Sequence, residues 1–325
     1  MELVTRIIRN RLAAFGAVML LLILIVSLLT PVFGLTDPNV IDTSNRFMLP
    51  FGEGHLLGAD HLGRDILSRL LWGTRLSLMV GVAAALIAAT AGSLIGILAG
   101  YYGGRLDMML MRSIDVLMAF PYILLALAIV AVLGPSLMNA LIAVAIVNIP
   151  FFARNVRGAT LAIAQSDYIA AAKLSGRNTF SLLLFELMPN LISVIVVAFS
   201  TTVGWMILET AGLSFLGLGS QPPQSDLGSM LGEGRAALIT HPHTSLIPGI
   251  MIFAIVMGIN LLGDGIRDAL DPRLAKGALR RALPITKIDR DLPLPRTEER
   301  GLLSVSRLKT DFQTAGKTTK AIRDV

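Results

Sequence analysis

The 325-residue sequence contains no cysteine, which excludes a disulfide framework, a thiolate metal site and a cysteine nucleophile. Charge is also scarce, because Asp, Glu, Lys and Arg make up 15% of the residues, against about 25% in a typical soluble domain. Hydrophobic residues, in contrast, make up 54% of the chain. This composition predicts a membrane protein rather than a soluble enzyme or a nucleic-acid-binding domain.

The net charge of +6 lies entirely in the C-terminal segment 274–325, which holds 12 Lys and Arg and 6 acidic residues. The preceding 273 residues are balanced, with 16 residues of each sign. The basic balance therefore gives no indication of nucleic acid as a partner. The tail contains three prolines and scattered charges and has no sustained apolar period, so we expect it to be basic, cytoplasmic and partly or wholly disordered.

Five long stretches contain no Asp, Glu, Lys or Arg, and a membrane-spanning helix needs about 20 such residues. These stretches are 12–36, 76–104, 116–153, 187–208 and 236–263. The third is 38 residues long, too long for one crossing, and Gly134-Pro135 interrupts it near the middle. The sequence therefore predicts an all-α, polytopic membrane protein with six transmembrane helices.

Lys and Arg are enriched in cytoplasmic loops, so their distribution indicates the orientation. With the N-terminus inside, the inner segments hold eleven Lys and Arg and the outer segments hold five, counted to Arg273. We therefore expect both termini to be cytoplasmic. The predicted organisation is a cytoplasmic N-terminus (1–11), a first helix with an outer loop (12–75), a core of five helices (76–273) with an inner loop (154–189) and an outer loop (209–244), and the tail (274–325).

The inner loop contains a pattern that predicts a short helix. Asp167 supplies an acidic start, three alanines of high helix propensity follow at 170–172, and Gly176 suits a C-terminal cap. A soluble partner that grips such a helix would move two spans together. The alternative is a surface helix that only connects the spans.

The same loop resembles the conserved cytoplasmic loop of bacterial ABC-importer permeases. The match is Ala170-Ala171-Ala172-Lys173-Leu-Ser-Gly176, followed by Leu187-Met188-Pro189. Ala170 replaces the glutamate of the family pattern, which leaves Asp167 as the nearest acid. Any salt bridge that the family's glutamate makes to the ATPase is therefore absent or rerouted here.

Three further segments resemble the dipeptide, oligopeptide and nickel permease subfamily, specifically its second, shorter permease subunit. They are residues 55–69, 209–223 and 261–273, and with the inner loop they extend the resemblance from about residue 5 to residue 273. The residues that carry the family motifs are Asp60, Gly63, Arg64, Asp65, Pro189, Glu209, Gly217, Asp264 and Asp268.

The resemblance implies the type I ABC-importer permease fold in a bacterial inner membrane, and a subunit with no catalytic residues of its own. Its partners would be a second homologous permease, two cytoplasmic ATPases, an extracytoplasmic binding protein and membrane lipid. ATP and Mg would bind the ATPases, and this chain, which has no phosphate-binding loop motif, would bind no cofactor. The implied substrate is a dipeptide, an oligopeptide or a similar small solute. The residues that would couple the chain to the ATPases are Asp167, Tyr168, Ala170, Ala171, Ala172, Lys173 and Gly176.

The sequence also bears on three other classes of function. An intramembrane protease would need Gly-x-Ser-x-Gly or His-Glu-x-x-His, and neither occurs. A secondary, ion-coupled transporter is disfavoured because no acidic or basic residue falls inside the five runs. A nickel or other metal-uptake permease is an alternative because His55, His61, His241 and His243 all fall in outer loops, although solvated loop histidines are the simpler interpretation and we predict no metal site.

Three further features concern the predicted spans. The first two each have two interpretations, and the third predicts a structural contact. Gly92, Gly96 and Gly100 lie on one helix face, which favours close helix packing over substrate contact. Pro121 indicates either a kink in a helix that begins near residue 108 or an early-helix proline. Arg112 and Asp115 are three residues apart and predict an ion pair within one helix.

Overall fold

The structure is a computed structural model that describes residue 7, residues 10–52 and 54–270, and residues 310–314 and 317–322. The chain divides into two units, Met1–Ala278 and Leu279–Val325. In the second unit, strands β1 (Thr310–Thr314) and β2 (Lys317–Ile322) pair antiparallel. The remainder of the tail for which the sequence predicts disorder lies outside the described residues.

The first unit is helical, and its described residues contain no β-strand. Its helices are α1 (Arg11–Leu29), α2 (Ile66–Tyr102), α3 (Gly104–Met118), α4 (Tyr122–Leu133), α5 (Leu137–Ala164), α6 (Asp167–Leu174), α7 (Thr179–Leu182), α8 (Met188–Phe215), α9 (Leu227–Gly234) and α10 (His243–Leu270). A π-helical turn, Leu183–Leu187, joins α7 to α8. We call the end of the bundle that carries residues 165–187 the lower end, and the end that carries residues 33–65 the upper end.

Five helical segments of the described chain are long and apolar enough to cross a membrane, and α3 with α4 makes a sixth if this bent pair counts as one span. The prediction of six spans is confirmed in that form. The pair bends by 88° at the break that contains Pro121. Pro121 is also the N-cap residue of α4, so it lies both at the bend and at the start of a helix, where proline is tolerated. Helix α4 has 12 residues, about 18 Å, and is shorter than the hydrocarbon core.

The predicted span boundaries are wrong at three helix ends. Helix α2 begins at Ile66, ten residues before the predicted start, and at about 55 Å it extends well beyond the hydrocarbon core. Helix α8 continues past residue 208 to Phe215, and α10 begins at His243 rather than at residue 236. A charge-free run locates the stretch compatible with lipid, whereas a helix ends only where its backbone is capped.

Helices α2 and α5 pack in parallel through the three glycines of α2. A Cβ atom at Gly96 would lie 2.6 Å from the carbonyl oxygen of Ala153, and at Gly92 it would lie 2.7 Å from that of Ile149. Gly100 faces Thr160 in the same way. The helix backbones therefore touch along this seam, which confirms helix packing as the role of the glycines.

Helix α10 lies between α1 and α8, again through small residues. A Cβ atom at Gly16 of α1 would lie 2.8 Å from the carbonyl oxygen of Gly258, and one at Gly263 would lie 2.7 Å from that of Ser200 in α8. On its other side α1 presents leucines such as Leu12 and Leu22, each more than half exposed. An apolar surface of this kind is what a membrane-embedded bundle leaves toward lipid or a partner subunit.

Candidate functional site

The lower end carries the predicted short helix, which the structure places at α6. Ile169 is fully buried and anchors α6 on the bundle. Gly176 follows with φ of +79°, a conformation that glycine adopts without strain, and its N–H donates to the carbonyl oxygen of Lys173 at 3.1 Å. The predicted helix and its glycine cap are both confirmed.

The rest of α6 and the following turn present an apolar surface outward. Asp167, Ala170 and Ala171 are exposed, and Ala172 is half-buried. Tyr168 is exposed, and the Leu174 side chain is 89% accessible to solvent. Phe180 and Phe185 extend the same exposed end of the bundle. Helix α6 itself lies outside the candidate membrane-spanning segments, and an exposed apolar patch at such a position is typical of a surface that another protein covers.

Ionic and aromatic contacts fix the loop on the bundle. The Lys173 ammonium lies 4.9 Å from the centre of the Tyr101 ring, at the end of α2. Arg177 forms an ion pair with Glu186, which spans the turn between α6 and the π-helical segment. Pro189 is the second residue of α8 and directly follows the π-helical turn, so the hydrogen-bond pattern of the helix changes next to a residue that has no backbone N–H.

Two further ion pairs attach α3 to α5 at the lower end. Arg157 donates to both carboxylate oxygens of Asp107, at 2.5 and 2.6 Å. Arg154 donates to Asp115 at 2.6 Å. The predicted pair between Arg112 and Asp115 is therefore wrong, because α3 lies across α5 and offers Asp115 a partner from another helix.

The upper end contains an ionic network of four side chains, of which Asp60, Arg64 and Arg69 are buried and Glu233 is half-buried. The carboxylate of Asp60 accepts from Arg64 at 2.7 Å and from Arg69 at 2.5 Å, and Glu233 of α9 accepts from the same two arginines at 2.5 and 2.9 Å. Arg69 is 1% exposed. Burial acts to raise the pKa of Asp60, but the charges of Arg69 and Arg64 and two backbone N–H donors outweigh it and lower that pKa. The network joins the segment before α2 to α9.

Two other motif residues of this segment have local structural roles. Asp65 caps α2, since its carboxylate accepts from the N–H of Ser68 at 2.7 Å, and its second oxygen lies 2.9 Å from Nδ1 of His55. Gly63 has φ of +76°, and a Cβ atom there would lie 1.6 Å from the carbonyl oxygen of Asp42. Only glycine fits this position.

Asp60, His61 and Glu233 place one potential metal ligand each within 4.8 Å of one another. Both carboxylates are already paired with the guanidinium groups of Arg64 and Arg69, so a cation would lie against two positive charges. These residues therefore do not fit a metal ion. His241 stacks on Phe47 at 4.3 Å between ring centres, a packing role.

Glu209 lies inside α8 and not in an outer loop, which corrects the predicted start of the loop 209–244. Its carboxylate accepts from Nε1 of Trp205 at 2.7 Å and from Nδ2 of Asn148, on α5, at 2.6 Å. Gly217 lies just past the end of α8, with its N–H donating to the carbonyl oxygen of Ser214. A carboxylate inside a spanning helix is the feature that the charge-free runs missed.

The two motif acids of α10 lie near the lower end of the bundle. Asp264 is exposed. Asp268 is also exposed and accepts from Nδ2 of Asn10 at 3.5 Å, at the start of α1. Sequence reasoning missed Glu233 because its arginine partners are more than 160 residues away along the chain.

The apolar spans pack around a core of small residues, with an ionic end and an exposed apolar end, and together they define a polytopic membrane protein. Residues 92–276 match the family model described as "Binding-protein-dependent transport system inner membrane component". The chain therefore belongs to this family and is the permease component of an ABC importer. It is a multi-pass protein of the inner membrane.

Two relatives extend this result over most of the chain. The glutathione transport system permease protein GsiD of Pectobacterium atrosepticum is 50% identical over 222 residues, which cover 68% of this chain and 74% of the relative. The dipeptide transport system permease protein DppC of Alkalihalophilus pseudofirmus is 42% identical over 266 residues, 82% of this chain and 87% of the relative.

A solved structure supports the fold. One chain of the inward-facing MetNI methionine ABC transporter superposes with a TM-score of 0.53 and 18% identity, and the match covers 63% of this chain and 98% of that chain. The predicted type I permease fold is confirmed.

Proposed function

We propose that this permease imports small peptides or peptide-like solutes, as half of a translocation pathway formed with a second permease subunit. The support is chemical, since the relatives named for dipeptide and for glutathione transport handle solutes that share amide bonds, a free amino group and carboxylates. Selection among such solutes would rest largely with an extracytoplasmic binding protein, which docks at the upper end.

The lower end is proposed to face the cytoplasm, with both termini on that side. The distribution of Lys and Arg between the ends supports this orientation. The ionic network of Asp60, Arg64, Arg69 and Glu233 then holds the outer segments rigid.

Helix α6 is proposed as the coupling helix that seats in a cytoplasmic ATPase. The observation that carries this proposal is the exposed apolar surface around Tyr168 and Leu174, on a helix whose Ile169 is buried. Movement of the ATPase would pass to α5 and α8, the spans on either side of the loop. ATP and Mg would act at the ATPases, and this chain would supply no catalytic residue. The absence of the family glutamate at Ala170 leaves the contact mainly apolar, with Asp167 as the acidic residue at its edge.

The substitution Ala171→Trp tests the coupling assignment. A large ring on the exposed face of α6 should prevent docking, so ATP-driven uptake and co-purification of the ATPases should both fall at least about tenfold, the equivalent of roughly 1.4 kcal/mol of binding free energy. The matched control is Ala236→Trp, the same change at an exposed alanine of the upper end, which should retain the ATPases. Normal assembly and uptake with Ala171→Trp would contradict the assignment.

A further inference from the structure

Glu209 is a carboxylate within a membrane-spanning helix that has no cationic partner among the described residues. Its two hydrogen bonds come from neutral donors, Asn148 and Trp205, and no ion pair in the described part of the chain includes it. Ionisable groups inside spans are costly, and they face a pathway or a partner rather than lipid. Among the described residues, the carboxylate therefore has room for a cationic partner.

A cavity of about 150 Å³ opens beside this carboxylate, between α4, α5 and α8. That is the volume of about five water molecules, enough for the end group of a small solute. Its lining is mostly apolar, with residues such as Ala126 and Val144, and Glu209 is the one acidic or basic residue among the described residues that line it. The cavity therefore offers one charge in a surrounding of low polarity, where an ion pair is stronger than in water.

Two aromatic rings flank the carboxylate and are themselves about half exposed. The ring centres of Tyr122 and Trp205 lie 5.8 Å apart, and 45% and 46% of these residues are accessible. Aromatic faces attract organic cations through their quadrupole, and this attraction reaches about 2 kcal/mol when the pair is desolvated. A carboxylate that shares a cavity with two exposed aromatic rings offers an ammonium group both an ion pair and a cation–π contact.

We infer that Glu209, Trp205 and Tyr122 form a binding site in the translocation pathway for the amino-terminal ammonium group of the transported peptide. Asn148 orients the carboxylate. The amino group is the one cationic group that every unmodified peptide carries, so the site would accept peptides of different side chains. The inference rests on the proposed peptide-import function, because a peptide carries the ammonium group that the site would bind.

The alternative is a purely structural role, in which Glu209 only joins α8 to α5 through Asn148. The two hypotheses predict opposite rankings of the variants Glu209→Gln and Asn148→Ala by loss of transport. Glu209→Gln removes the charge but keeps an amide oxygen that can accept from Asn148, whereas Asn148→Ala removes the interhelical hydrogen bond and keeps the charge. Loss of function is therefore expected mainly from Glu209→Gln if the site binds ammonium, and mainly from Asn148→Ala if the contact is structural.

The experiment uses the complete importer in proteoliposomes, with binding protein preloaded with a dipeptide or with its N-acetylated form. Glu209→Gln should lower uptake of the free-amine dipeptide at least about tenfold, while uptake of the acetylated form, relative to wild type, changes less than about twofold. Asn148→Ala should have a smaller effect on the free-amine dipeptide. Asp37→Asn, a carboxylate-to-amide change at an exposed loop position, is the matched control and should behave as wild type.

Several outcomes overturn the inference. Equal losses for both peptides in Glu209→Gln, no loss for either, or a larger loss in Asn148→Ala than in Glu209→Gln would each identify a structural contact. If the wild-type importer takes up no acetylated peptide, the two hypotheses are distinguished by which variant, Glu209→Gln or Asn148→Ala, loses more uptake of the free-amine dipeptide. Failure of the proposed function has a different signature, since the wild-type importer would then transport neither peptide although its ATPases assemble and hydrolyse ATP.

Discussion

At the scale of single residues, the chain uses its few charges in two ways. Arg154 and Asp115 form an ion pair of which each side chain is nearly half exposed, and such pairs contribute at most about 1 kcal/mol. The ion pairs of Arg69 lie in the interior, so their effect on stability is seen when one partner is removed. A charge left alone in the interior is strongly destabilising.

Replacing Arg69 with methionine should therefore destabilise the permease by about 3–5 kcal/mol, because Asp60 and Glu233 lose a shared buried partner. The matched control, Arg154→Met, should cost less than about 1 kcal/mol. Thermal unfolding of the two purified variants in the same detergent measures the difference. Equal transition temperatures for the two would show that the network at the upper end is not a structural support.

The lowered pKa of Asp60 makes the stability of the upper end depend on pH. An acid with a folded-state pKa below its unfolded value, about 3.9, stabilises the folded state above that pH and loses this contribution as the pH falls through the folded value. Asp60→Asn should therefore be less stable than wild type at pH 7, and the gap should narrow below about pH 4. Unfolding temperatures of both proteins between pH 7 and pH 3 test this, and a gap that does not change with pH would contradict it.

At the scale of helices, close approach through glycine determines which spans touch. The seam between α2 and α5 leaves no room for a side chain at Gly96, whereas Gly158 of α5 points away and a Cβ atom there would meet nothing within 4 Å. These two positions separate the packing effect of a methyl group from its effect on helix propensity.

Gly96→Ala should destabilise the bundle by about 1–3 kcal/mol, because the methyl group would overlap the backbone of Ala153 and Arg157. Gly158→Ala should instead be neutral or stabilising by up to about 1 kcal/mol, since alanine is the better helix former. Unfolding transitions of the two variants give the comparison. A stabilising Gly96→Ala would mean that α2 and α5 do not pack as described.

The sequence predicted those features that depend on local pattern. Composition and run length were sufficient for the spans, and the alanines with Gly176 were sufficient for α6. Contacts between distant segments could not be predicted from the sequence, because nothing near Arg69 in the sequence points to Glu233. The intrahelical spacing of Arg112 and Asp115 predicted the wrong ion pair, since Asp115 pairs with Arg154. Glu209 was predicted to lie in an outer loop because the charge-free run ends at residue 208, whereas the helix continues to Phe215.

At the scale of the whole molecule, the two ends of the bundle differ in a way that suits a permease driven by a separate motor. The upper end is locked by buried ion pairs, and the lower end presents an apolar surface on a short helix held between two spans. Family membership places the chain in a binding-protein-dependent importer. We propose that α6 faces the cytoplasm and contacts the ATPase.

The lack of cysteine allows a direct test of that claim, because an introduced cysteine is the only thiol in this chain. In cells that express the complete importer, Ala171→Cys should resist a membrane-impermeant maleimide, and a maleimide photo-crosslinker on it should join this chain to an ATPase subunit. Asp37→Cys, exposed at the upper end, should show the reverse, with labelling in intact cells and no product with the ATPase. Labelling of Ala171→Cys from outside, or an ATPase product from Asp37→Cys alone, would contradict the account.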